Sequence, residues 1–122
     1  MIAIFWADAD FSKIGELYYQ TYDFQASPNQ HTDFKTDLES EIKSYFPSLP
    51  VDFKALWAIK ITWHQVPPYP GYFFKDFETN TYQAVLVTDG IFSFCLMRYA
   101  DGGMNWSYNS LPNYYLPKMG YF

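Results

Sequence analysis

Thr81 to Val87 and Ile91 to Tyr99 are two strand-like runs of apolar and β-branched residues, and Asp89-Gly90 stands between them. Asp-Gly between such runs is the preferred two-residue hairpin turn, because both positions tolerate positive φ. This pair commits the chain to antiparallel sheet. Arg98 is the first charged residue after Asp89, so the pattern predicts a hairpin covered on both faces.

The rest of the chain is read around that hairpin. Ile2 to Ala7 is a short apolar run closed by Asp8-Ala9-Asp10, which reads as a buried strand. Glu16 to Tyr22 carries Leu17, Tyr18, Tyr19 and Tyr22 and reads as a second strand, able to pair with the first across a loop. From Leu56 the period is two, with Trp57, Ile59, Ile61 and Trp63 on one face and Ala58, Lys60, Thr62 and His64 on the other. Ala100 to Gly103 reads as a turn, Met104 to Tyr108 as a last short strand, and Asn109 to Phe122 as irregular.

Between residues 33 and 46 the period changes to helical. Phe34, Leu38 and Ile42 recur at one face, Thr32 is placed as N-cap, and Pro47 and Pro50 stop the segment. The predicted fold class is α+β: a mainly antiparallel, sandwich-like β-sheet with one amphipathic helix, in a single domain over 1–122.

Charge and composition narrow the function. Thirteen acidic against eight basic residues give a net charge of −5, which disfavours a phosphate backbone, so no nucleic acid is expected. No run reaches the roughly 18 apolar residues of a membrane span, and Lys60 interrupts Ala55 to Val66, so no membrane insertion by this segment is expected. No signal peptide is visible at the N-terminus. The single Cys95 reads as a buried small hydrophobe.

Catalytic constellations are absent from the pattern. His31 and His64 fall in different elements, and no phosphate-binding glycine motif or nucleophile elbow occurs. The expectation is therefore no enzyme, no catalytic residue and no cofactor. Asp8 and Asp10 could contribute oxygens to Ca²⁺, but such an ion takes about six to eight, and a turn-forming role for the pair is favoured. The chain holds twelve Phe, twelve Tyr and four Trp. The rings in and after the Pro-rich loop that follows Val66 must either fold back as a lid on the core or present a contact patch, and for the second case Tyr69, Tyr72 and Phe73 are the candidate partner-binding residues. Tyr69, Tyr72, Tyr114 and Tyr115 would also serve a glycan-binding β domain, with or without Ca²⁺, through ring stacking on sugars, but ordinary core and lid packing is favoured for them. Asn105-Trp106-Ser107 fits the N-glycosylation acceptor pattern.

Five blocks in order resemble one family. They are Ala3 to Asp10, Gly15 to Thr21, Thr62 to Val66, Asn80 to Gly90 followed by Ser93-Phe94, and Asn105-Trp106. Together the chain resembles the extracellular nidogen-type, or NIDO, domain. Most shared positions read as core and turn residues, with Trp6, Trp57, Trp63 and Phe94 as packing. The resemblance implies an extracellular, non-catalytic module in cell–matrix adhesion, whose partners are matrix or cell-surface proteins. It implies a secreted or ectodomain location, and a piece of a larger mosaic protein.

Overall fold

A computed structural model of the chain describes residues 1–49, 52–69, 78–106 and 117–121. The elements run β1 (Ile2–Trp6), β2 (Glu16–Asp23), α1 (Thr32–Tyr45), β3 (Trp57–Val66), β4 (Asn80–Thr88), β5 (Ser93–Met104) and β6 (Lys118–Tyr121). They form a four-stranded sheet in the order β2-β3-β4-β5 and a two-stranded antiparallel sheet of β1 with β6. The fold is mainly antiparallel sheet with one helix, as the pattern predicted. Contacts divide the chain into two compact units: residues 1–18, 61–84 and 97–122, and residues 19–60 and 85–96.

The second unit holds the helix. Leu38 and Ile42, four apart and fully buried, drop from α1 onto Tyr22, Phe24, Phe53, Ala55, Ala58, Val85, Val87 and Leu96. Phe34 continues the stripe, its ring 4.3 Å from that of Tyr22. Lys60, which alternation places among the water-facing residues of β3, lays its Nζ over both rings, at 5.6 Å from Tyr22 and 5.1 Å from Phe34. The predicted core face of β3 is thus not the one buried here: Ala58 is buried and Trp57 is 39% exposed.

The helix start also differs from expectation. His31, not Thr32, holds the N-cap position, in left-handed conformation (φ 56, ψ 32) with no side-chain cap. Thr32 is already helical, and its carbonyl accepts from the Thr36 hydroxyl at 2.9 Å. The His31 ring instead packs edge-on against Tyr22 at 5.1 Å, a tertiary contact that local capping rules do not see.

The first unit is built on Phe5, Tyr82 and Trp106. Phe5 meets Trp106 edge-on at 4.9 Å and Tyr82 at 5.3 Å, while Trp63 stacks on Tyr82 at 5.1 Å. Along β4 the buried positions are Asn80, Tyr82 and Ala84 in this unit, then Val85 and Val87 in the other. The change of parity at Ala84–Val85 sets two buried positions side by side, within the apolar run from Ala84 to Val87.

Four further expectations are corrected. β1 pairs with β6 (Ile2↔Tyr121, Ala3↔Gly120, Trp6↔Lys118) and β2 neighbours β3, so no β1–β2 hairpin forms. β6 falls inside the stretch read as irregular, and β5 passes through the expected turn Ala100–Gly103 to Met104, helped by Gly102 at φ 64. The β4–β5 connection has four residues rather than two. Asp89 Oδ1 accepts from the N–H groups of Ile91 (2.9 Å) and Phe92 (2.7 Å), and Asp89 N–H donates to Phe92 O at 3.2 Å.

Candidate functional site

The end of β1 governs what the first unit shows to solvent. Ala3 and Phe5 are buried, so the alternate residues Ile2 and Trp6 face outward, 46% and 59% exposed. Trp6 is therefore surface, not the packing residue the sequence suggested. The signal was present in the alternation of the run, but a six-residue apolar stretch reads more readily as a strand buried on both faces.

Beyond Trp6 the chain is held by a short backbone ladder. Asp10 N–H donates to Pro67 O at 3.1 Å, Tyr69 N–H donates to Asp8 O at 3.0 Å, and Ala9 bridges Pro68. Pro68 is buried and Tyr69 is 51% exposed. Gly15 lies over the same ladder with φ +95, where an added Cβ would stand 3.1 Å from Gln65 O and 3.2 Å from Pro67 Cδ. The Pro-rich segment is thus pinned beside the acidic turn. Tyr72, Phe73, Tyr114 and Tyr115 lie outside the described residues.

An open depression of about 420 Å³ follows β1, lined in part by Ile4, Trp6, Asp8, Phe11, Trp63 and Tyr82. Phe11 is 45% exposed, and among the described residues Asp8 is the one charged residue of the lining. Burial pushes the Tyr82 phenol up to about 12, with the Tyr99 hydroxyl adding to the rise, so this wall stays uncharged well above neutral pH. Asp10 Oδ1 accepts from Ser12 N–H at 3.0 Å, the turn role favoured for this pair. No group of three or more metal-ligating side chains forms among the described residues.

The second unit carries a depression of about 500 Å³ beside α1, of different character. Its charges face one another: Lys54 Nζ lies 3.2 Å from Asp52 and 3.5 Å from Glu39, and Lys43 lies 3.8 Å from Asp52. Lys54, by hydrogen bond and by charge, holds the Asp52 carboxyl below its usual range. Glu39 Oε1 also accepts from Ala55 N–H at 2.9 Å, fixing the entry to β3. These groups serve the fold, and the aromatic depression is the better candidate contact surface.

The remaining residues singled out in the sequence stand apart from both depressions. His64 is half-buried beside the Tyr18 ring, 6.4 Å between centroids. Cys95 is half-buried rather than buried, and its burial pushes the thiol up, away from nucleophilic character. Asn105 is exposed.

A family model described as nidogen-like domain matches residues 1–120. The chain belongs to the nidogen-like domain family. It is 40% identical over 113 residues to Mucin-4 of Mus musculus, covering 92% of this chain and 3% of that protein. It is 34% identical over 106 residues to Alpha-tectorin of Homo sapiens, covering 87% of this chain and 4% of that protein. No solved structure matches. These relatives are extracellular or ectodomain proteins, of whose length the chain spans a few per cent. Among the described residues no helix is long and apolar enough to cross a membrane.

Proposed function

We propose that this nidogen-like domain is a non-catalytic, extracellular interaction module acting in cell–matrix adhesion, and that its contact surface is the aromatic strip along β1 and the Pro67–Tyr69 ladder. The observation that carries the reading is the exposure of Trp6 and Phe11 on the lining of a depression where Asp8 is the one charged residue among the described residues, with the exposed Tyr69 tied to Asp8 through its backbone in the same unit. Large rings at a surface contribute contact area at little entropic cost, and such anchors dominate protein interfaces. Tyr72 and Phe73 extend the proposal on sequence grounds. The partners are matrix or cell-surface proteins.

The test is capture from a matrix extract by the immobilised chain, comparing wild type with Trp6→Ala/Tyr69→Ala and with Tyr69→Ala/Tyr72→Ala/Phe73→Ala. Loss of one anchor of this kind weakens a complex by about 2 kcal/mol, roughly 30-fold. Equal recovery of the same proteins by all three chains would remove the strip from the proposal. The same depression supports a glycan-binding reading, because the exposed Trp6 and the carboxylate-bearing Asp8 both line it. A glycan array run with and without EDTA decides this, and includes the Ca-dependent form. Silence in both conditions ends it.

A further inference from the structure

Asn105-Trp106-Ser107 is a motif that the interaction reading does not use, and the fold gives its first two residues opposite surroundings. Asn105 is exposed; its Nδ2 donates to Thr79 O at 2.8 Å, and its backbone N–H reaches the same carbonyl at 3.4 Å. Trp106 is 1% exposed and held by three bonds. Its backbone N–H donates to Asn80 Oδ1 at 3.1 Å, its carbonyl accepts from Asn80 Nδ2 at 3.0 Å, and its Nε1 donates to Val66 O at 2.9 Å. Asn80 is itself fully buried, so this clasp closes only when the first unit folds. Ser107 lies outside the described residues and enters through the sequence alone.

We propose that Asn105 is an N-glycosylation acceptor, modified while the Asn80–Trp106 clasp is still open. The donor is a lipid-linked oligosaccharyl pyrophosphate. The Nδ2–C1 bond forms, the C1–O bond to pyrophosphate breaks, one Nδ2 proton is lost, and the lipid pyrophosphate leaves with the bonding pair. In the closed clasp the Trp106 backbone N–H and carbonyl are both bonded to Asn80 and its ring is in the core, so an enzyme that takes the acceptor and its neighbour in extended form must meet the segment earlier. After transfer Nδ2 keeps one hydrogen, which is what the Thr79 bond requires. The sugar replaces the other hydrogen on an exposed side chain, so the modified chain closes the same clasp.

The inference rests on the extracellular reading, since this transfer occurs in the secretory pathway. The experiment therefore supplies a cleavable signal peptide of its own. Wild type, Asn105→Gln, Ser107→Ala, Asn80→Ala and Asn80→Asp are expressed in animal secretory cells and pulse-labelled. Whole-cell lysates are then treated with an amidase that removes N-linked glycans, so the result does not depend on whether a variant folds or is exported. An amidase-sensitive band is expected in wild type and absent from Asn105→Gln and Ser107→Ala. Occupancy rises by about twofold or more in Asn80→Ala, where slower closing prolongs access, and by less in Asn80→Asp, which keeps the acceptor oxygen. No such band in any chain, or equal occupancy in wild type and both Asn80 variants, overturns the proposal. The extracellular reading fails on a different observation, retention of the native protein in the cytosol.

Discussion

Tyr82 joins the stability of the first unit to its chemistry. It is 5% exposed, between the rings of Phe5 and Trp63, and burial moves its phenol from 10.0 to about 12. The folded protein holds this proton more tightly than the unfolded chain does. Its contribution is therefore intact below pH 10 and is lost as pH rises from about 10 to about 12, up to about 2–3 kcal/mol. Urea unfolding followed across that range is expected to show this loss in wild type and a smaller one in Tyr82→Phe. Parallel curves would mean that burial does not govern the titration. In sequence Tyr82 is one of twelve tyrosines, and nothing local separates it from the exposed Tyr19. Trp6 and Trp106 make the same point, one 59% and the other 1% exposed. Side-chain type sets how much area a residue can bury, while its neighbours across space set whether it does.

At the scale of elements, α1 was legible because its evidence is local. Phe34, Leu38 and Ile42 repeat at one helical face, and the two that are fully buried are among these three. Leu38→Ala is expected to cost about 2–5 kcal/mol, read as a lower denaturant midpoint with an unchanged slope. The connection from β1 to β2 shows the opposite case. Gly15 lies at φ +95, closely facing Gln65 O and Pro67 Cδ, residues fifty positions away or more. Gly15→Ala is expected to cost about 1–3 kcal/mol by the same measurement, and Gly102→Ala, with φ +64 and open space around it, less. β6 was not legible, since four residues carry too little periodicity and their order comes from pairing with β1. The β1–β2 hairpin expected from sequence does not form for the same reason: adjacency in the chain does not entail adjacency in the sheet.

For the whole molecule, net charge and family membership set the partners to expect. With a charge of −5, the chain is expected to pass unretained through heparin or phosphocellulose at about 0.15 M salt, where screening acts over roughly 8 Å. Retention there would point to a local gathering of the eight basic residues strong enough to outweigh the net charge. The sequence by itself determined the fold class, the helix, the β4–β5 hairpin and the nidogen-like membership, because each rests on periodicity, turn chemistry or ordered motif blocks. It also singled out Tyr69 and Asn105, both of which the fold leaves exposed. Only the tertiary structure decided that β1 pairs with β6, that Trp6 faces water and Trp106 the core, and that Asn80 locks the segment after Asn105. Those outcomes depend on contacts between residues far apart in the chain. A local pattern cannot encode which distant surface will cover it.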